Sequence, residues 1–305
     1  MRLSLGRTNI LQIHGNLAGV FSILLWSCSA LFFSYAESMP TFLLLSTTFF
    51  FGGIIFVMIW GVRSPQNLAK NLRPPLMSVL FPLIGIGLYN VLYYNAFKYA
   101  PIEEANIINY MWPTFIILFS CFLPEHRLKL HVIFGALICF LGICVLRIGG
   151  ELNVSAWTFE LGHFLAFLAA LTWGIYSVLI KKSQHNSPSA VPVSFLYNAA
   201  FFLCLHFLFE ERWLIDWSVL PAAIVLGCMV GVGYFMWDIA MSRGDIQMLG
   251  VLSYLTPISS IFLLVTFGYP VMTSNLFFAA CFIVVGTLIA SKDRVIEVYQ
   301  RYKNK

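Results

Sequence analysis

Long apolar runs joined by short polar connections make up almost the whole chain. A membrane-crossing helix needs about 20 mainly apolar residues. Stretches of that length fall at 16–35, 41–61, 76–97, 103–123, 130–148, 160–180, 190–209, 218–241, 246–267 and 273–291. The pattern predicts an all-α membrane protein with ten transmembrane helices.

The pattern also recurs. Residues 106–120, NIINYMWPTFIILFS, reappear 144 positions later as GVLSYLTPISSIFLL, which sets Tyr110 on Tyr254 and Pro113 on Pro257. The same offset pairs Gly87 with Gly231, Ala96 with Ala240, Ile102 with Ile246, Phe134 with Phe278 and Gly142 with Gly286. A constant register over so many positions reads as an internal duplication. It divides the chain into a first repeat at 1–152, a second at 153–292 and a polar tail at 293–305. Arg2 and Arg7 before the first apolar run imitate a signal peptide. That run has a counterpart in the second repeat, so it is read as the first span of the mature chain.

Basic residues orient the helices. With the N-terminus in the cytoplasm, 15 of the 18 Lys and Arg residues fall on the inner side. Only Lys98, Arg147 and Arg212 fall outside, and the excess of inner positive charge places both termini in the cytoplasm. Five spans per repeat is an odd number, so the second repeat enters the membrane from the opposite face. The expected fold is therefore two inverted five-helix repeats, the plan of secondary transporters that rock around a central cavity.

Composition agrees with this picture. The chain is 60% hydrophobic and 10% charged, against about 25% charged in soluble domains. Its net charge of +5 follows from the inner basic residues and does not call for nucleic acid. The seven cysteines all lie in apolar runs with no metal-ligand spacing, and they read as reduced, packed thiols. No HExxH, no GxSxG and no second intramembrane carboxylate is present, so an intramembrane enzyme is disfavoured. No cofactor and no metal is expected. Nothing in the chain specifies an oligomer, and a monomer suffices.

Candidate site residues are the polar and aromatic groups inside spans. Asp238 is the ionisable residue placed deepest, where a charge costs about 2.5–3.5 kcal/mol on insertion scales. It either serves as a cation or proton site or pairs with Arg243 one and a half turns away. Asn106, Asn109, Tyr110 and Pro113 share one face of the fourth span, which suits either cavity lining or interhelical bonding. Trp112, Tyr254 and Ser253 belong to the same pair of repeated segments. Pro113 and Pro257 remove backbone donors inside apolar helices, and so are expected to break and hinge them. Asn90 and Tyr94 lie a turn apart on the third span, and Tyr94 is the repeat partner of Asp238, beside Trp237. Trp26 and Trp173 occupy corresponding places in the first span of each repeat. They either pack the bundle or offer ring faces to an aromatic or cationic solute.

The strings NYMWPTFIILFS at 109–120 and MWDIAMSRGDIQMLGVLSYLTPISS at 236–260, with Leu25-Trp26 echoed by Thr172-Trp173, resemble the EamA-type drug/metabolite transporter superfamily. Within it the likeness is greatest to bacterial aromatic amino-acid exporters. The resemblance implies a ten-helix bundle of the bacterial inner membrane that exports amino acids, aromatic ones foremost, without ATP hydrolysis. One departure is Asp238, where those exporters carry Asn after the Trp. A carboxylate there would also suit uptake or exchange of a cationic metabolite such as S-adenosylmethionine or a quaternary amine. The absence of Lys or Arg deep within the spans speaks against phosphorylated solutes.

Overall fold

A computed structural model describes residues 2–36, 38–100, 102–124, 129–148, 160–182, 189–210, 218–267, 274–290, 292–293 and 296. Among them every regular element is helical. The first half holds α1 (Arg2–Ala36), α2 (Thr41–Arg63), the short α3 (Leu68–Asn71), α4 (Leu76–Tyr99), α5 (Ile102–Asn109), α6 (Trp112–Phe119) and α7 (Leu130–Ile148). The second holds α8 (Leu161–Lys182), α9 (Ala190–Phe209), α10 (Leu220–Arg243), α11 (Ile246–Leu252), α12 (Leu255–Thr266) and α13 (Ser274–Ala290). Six helices (α1 from Leu11, α2, α4, α8, α9 and α10) are long and apolar enough to cross a membrane, and shorter apolar stretches lie at Trp112–Phe122, Leu130–Gly142 and Cys281–Ala290.

The fourth and ninth expected spans are not continuous helices. Each is two short helices meeting at a turn, at Tyr110–Met111 and at Ser253–Tyr254. Proline explains the location. Pro113 sits in the first turn of α6 and Pro257 in the first turn of α12, where a missing N–H costs least. The backbone reconnects locally, with the Met111 N–H donating to Ile108 O and the Thr256 N–H to Ser253 O. The first helix also departs from expectation, running well before residue 16. The expected tail beyond residue 296 lies outside the described residues.

The two halves interlock rather than sit side by side. α1 packs on α10, α11 and α12 of the second half, while α8 packs on α4, α5 and α6 of the first. α2 lies on α10 as α9 lies on α4, and the partner helices α2 with α9 and α7 with α13 face each other directly. This exchange of contacts is what a two-fold relation between the repeats produces.

Lipid tails are as apolar as leucine side chains, so close packing rather than expulsion from water must hold such helices together. Small residues mark the closest approaches. Gly231 rests against the backbone of Gly52, and Gly135 against that of Gly286. Between α2 and α9, Phe49 stacks on Phe202 at 5.4 Å and meets Phe195 edge-on at 5.0 Å. The cysteines are free, but only part of the packed-thiol expectation holds. Cys139 is buried, whereas Cys121, Cys204 and Cys281 lie exposed on helix surfaces, where a lipid-facing thiol has no polar group to satisfy.

Candidate functional site

Four tryptophans occupy the centre of the bundle, two from each half. Trp26 of α1, Trp112 of α6, Trp173 of α8 and Trp237 of α10 touch in every pairing, with ring centroids 5.2–6.5 Å apart. Most pairs meet edge to face, the arrangement favoured by the ring quadrupole. Trp112, Trp173 and Trp237 are buried, and Trp26 is half-buried. The Trp237 indole N–H donates to Ser177 Oγ at 3.1 Å, inside a fully buried pair.

Tyrosines and amides surround these indoles. Tyr89 lies 5.2 Å from Trp173 and Tyr234 the same distance on another side. Asn90 donates to Ile86 O at 2.8 Å and to the Tyr234 hydroxyl at 3.5 Å. The Asn109 side-chain amide reaches the Tyr89 hydroxyl at 3.3 Å, leaving its own Oδ1 buried without a partner. Tyr93 bonds to Asn106, and Tyr94 packs edge-on against Tyr93 and Phe97. Aromatic rings with a few amides thus fill the centre where the halves meet.

Asp238 follows Trp237 on α10 and is only partly exposed. Among the described residues it makes no ion pair and no hydrogen bond, so the pairing with Arg243 is not formed. Tyr176 of α8 stands close enough to interact with it electrostatically. A carboxylate kept inside a span without a counter-charge is costly, and a cationic group arriving there would relieve that cost.

The structure does not gather all the sequence candidates in one place. Trp26, Trp112, Trp173, Trp237, Asn90 and Tyr94 belong to the central cluster. Tyr110 and Tyr254 belong to a separate apolar cluster with Ile117, Cys139 and Ile283. Tyr254 is fully buried there, and its hydroxyl pairs with Thr114. Ser253 is also fully buried and donates to Leu249 O of its own helix at 2.7 Å. Sequence reasoning had passed over Tyr89, Tyr93, Tyr176, Ser177 and Tyr234. Tyr234 carried a signal, since it is the repeat partner of Asn90 and Tyr93 that of Trp237. His163 and His206 are buried and hydrogen-bonded, to the Glu160 N–H and to Glu210 respectively. Among the described residues no group of His, Cys, Asp or Glu could hold a metal.

An interlocked pair of helical halves around a half-polar aromatic centre is the architecture of a small-solute carrier, and the chain belongs to the EamA-like transporter family. That family matches it twice, over residues 13–148 and 160–292. The chain is 36% identical to the aromatic amino acid exporter YddG of Ancylobacter novellus, over 90% of its own length and 96% of the relative's. It is 23% identical to the protein of the same name in Escherichia coli, covering 80% and 85% of the two chains. A biotin transporter of Escherichia coli is 25% identical over 57% of this chain and 60% of that one. A solved crystal structure superposes with a TM-score of 0.82 at 35% identity, covering 91% of this chain and 96% of that one. The protein is a multi-pass membrane transporter and not an enzyme.

Proposed function

We propose that this protein exports aromatic amino acids across the bacterial inner membrane by alternating access. The reading takes the broken pairs α5–α6 and α11–α12 as spans four and nine. That makes ten spans in two inverted repeats, with the basic ends and both termini in the cytoplasm. Pro113 and Pro257 then shape two helices that can bend as the halves rock.

One observation carries the substrate assignment: an unpaired carboxylate, Asp238, stands next to a cluster of four indoles. An aromatic amino acid presents both complements, a ring for the indole faces and an ammonium for the carboxylate. The Asn90, Asn109 and Tyr234 groups are within the same centre and can take up its carboxylate or ring substituents. Because the tryptophans pack on one another, a substrate ring enters as the indoles move apart and exchanges indole–indole contacts for equivalent ones. Biotin has a carboxylate and no ammonium, which Asp238 would repel.

Asp238 also supports a second reading, carriage of a cationic metabolite such as a sulfonium or quaternary amine. Thermal stability of the purified protein against Phe, Tyr, Trp, Thr, Met, choline and S-adenosylmethionine separates the two. A ligand at 100 times its dissociation constant adds about 2.7 kcal/mol to the native state. Stabilisation by the aromatic amino acids supports the first reading. Stabilisation by choline or S-adenosylmethionine alone replaces it with the second.

A further inference from the structure

Asn109 ends α5 at the break in span four and is 3% exposed. Its side-chain amide donates to the Tyr89 hydroxyl of α4 at 3.3 Å, while its Oδ1 accepts nothing from any described residue. Pro113, four residues on, has no N–H to return to the Asn109 backbone carbonyl. Asn109 therefore offers an acceptor in an aromatic interior, where an unmet polar atom is costly. The equivalent residue of the second repeat, Ser253, is buried as deeply but spends its hydroxyl on Leu249 O at 2.7 Å. Among the described residues the other buried side-chain oxygen without a partner is Thr256 Oγ1, on a residue only half-buried.

One ring connects Asn109 with Asp238. Trp173 lies 5.2 Å from Tyr89, which holds the Asn109 amide, and 5.4 Å from Tyr176, which interacts with Asp238. A solute ring lying on Trp173 thus has a carboxylate beside one neighbour and a neutral acceptor beside another. The two suit different groups. An ammonium gains more from the charged Asp238 than from a neutral amide, and an α-carboxylate is repelled by a carbonyl oxygen. What Asn109 Oδ1 fits is a neutral donor carried on the ring, the indole N–H of tryptophan or the phenol O–H of tyrosine. The Tyr89 hydroxyl is the acceptor in its bond to Asn109, so it keeps a proton that a phenol oxygen can accept. Phenylalanine has no such group and leaves Oδ1 unpaired.

We propose that Asn109 is a specificity-determining residue that selects aromatic amino acids bearing a ring donor, tryptophan and tyrosine, over phenylalanine. This rests on the export reading above and adds a rank order of substrates to it. A site built around a hydrogen bond rejects the analogue that lacks it, because its own buried group is then left unpaired. One such bond is worth about tenfold in affinity, so phenylalanine remains a substrate and ranks last. Tyr89 is a positioning residue, which holds the amide so that Oδ1 stays open.

Dissociation constants measured with the purified protein in nanodiscs test this. Tryptophan is compared with benzothienylalanine, in which sulfur replaces the indole N–H at almost unchanged shape. Tyrosine is compared with para-methylphenylalanine, in which a methyl group replaces the hydroxyl. The unsubstituted protein should bind each donor-bearing ligand about tenfold more tightly than its analogue. Asn109→Leu, similar in volume, should bring both ratios close to one, with phenylalanine losing least. Tyr89→Phe should lower both ratios in part, since the amide is then able to turn. Ratios near one in the unsubstituted protein overturn the proposal, and that comparison needs no variant. So do ratios unchanged in Asn109→Leu, or an equal loss for every ligand, which would assign Asn109 to packing or to the shared ammonium. Binding of none of these amino acids removes the export reading and this proposal together. Binding of all of them at equal strength removes this proposal alone.

Discussion

Asn90 donates to the Tyr234 hydroxyl across a 144-residue separation, the length of the repeat itself. Two positions that descend from one ancestral residue thus meet face to face between the halves. Contact between repeat partners is expected only next to the axis that relates them, so this pair marks that axis. Trp26 with Trp173, 5.9 Å apart, marks it a second time. One turn beyond the Asn90–Tyr234 contact lie Tyr94 and Asp238, a neutral phenol and a carboxylate at equivalent depths. The scaffold is symmetric, and its charge is not.

Tyr234→Phe should cost little, about 1 kcal/mol or less. The bond it removes is long, and the Asn90 amide keeps Ile86 O as an acceptor. Asn90→Leu should cost more, about 1–3 kcal/mol, because the buried Tyr234 hydroxyl oxygen then loses the amide that donates to it. Urea or thermal unfolding in detergent ranks the two. An equal or reversed ranking contradicts the role assigned to the pair.

The Gly52–Gly231 approach gives a second expectation. A Cβ on Gly231 would run into the Gly52 backbone, which cannot step aside as a flexible side chain can. Gly231→Val should therefore push α2 from α10 and lower stability by about 1–3 kcal/mol. Gly61, with open space around it, should accept alanine with no loss. The comparison of melting temperatures for the two variants checks the packing account without reference to transport.

Glu210 offers a third. Its carboxylate accepts the Phe42 N–H at 2.8 Å and the Leu43 N–H at 3.3 Å, capping α2 from the end of α9. His206 holds the same carboxylate at 2.7 Å. No residue local to Pro40 supplies a side-chain cap, so Glu210→Ala should cost about 1–2 kcal/mol. Glu210→Gln should retain part of that, since an amide oxygen still accepts. Proteolysis or hydrogen exchange at the start of α2 reads the loss locally.

Much of the framework could be read in the amino-acid sequence because its signals are long and physical. Twenty-residue apolar runs, a constant 144-residue register and two in-helix prolines each leave a mark that side-chain detail cannot erase. The breaks in spans four and nine were legible from Pro113 and Pro257, but their positions at Tyr110–Met111 and Ser253–Tyr254 were not, since length alone does not say where a proline divides a helix. The site was harder. Face sharing grouped Tyr110 with Asn106 and Asn109, yet Tyr110 turns toward Ile117 and Cys139 with its repeat partner Tyr254. A break at Tyr110–Met111 changes the helical phase, so faces counted across it do not carry over. Trp112 lies beyond the same break and points to the centre. The pairing of Asp238 with Arg243 failed because residues five apart on a helix point about 140° apart around its axis, so the two side chains leave α10 on different faces.

Trp173 should be the indole that tolerates truncation least. It contacts the other three tryptophans, Tyr89, Tyr176 and Tyr234. Trp173→Ala should cost about 3–5 kcal/mol. Trp173→Phe should recover much of the stability while changing which aromatic substrate stabilises the protein best. A thermal-shift series over Phe, Tyr and Trp with this variant checks it, and an unchanged substrate order would separate Trp173 from the site.

The most direct test is efflux of labelled tryptophan and phenylalanine from liposomes containing the purified protein, beside indole-3-propionate, which keeps the ring and carboxylate but lacks the ammonium. The account predicts saturable movement of both amino acids, with indole-3-propionate moved at least tenfold less well. It further predicts that Asp238→Asn narrows that preference while the protein remains folded. Equal movement of all three solutes by the unsubstituted protein, or a preference untouched by Asp238→Asn, would contradict the assignment of Asp238 to the substrate ammonium.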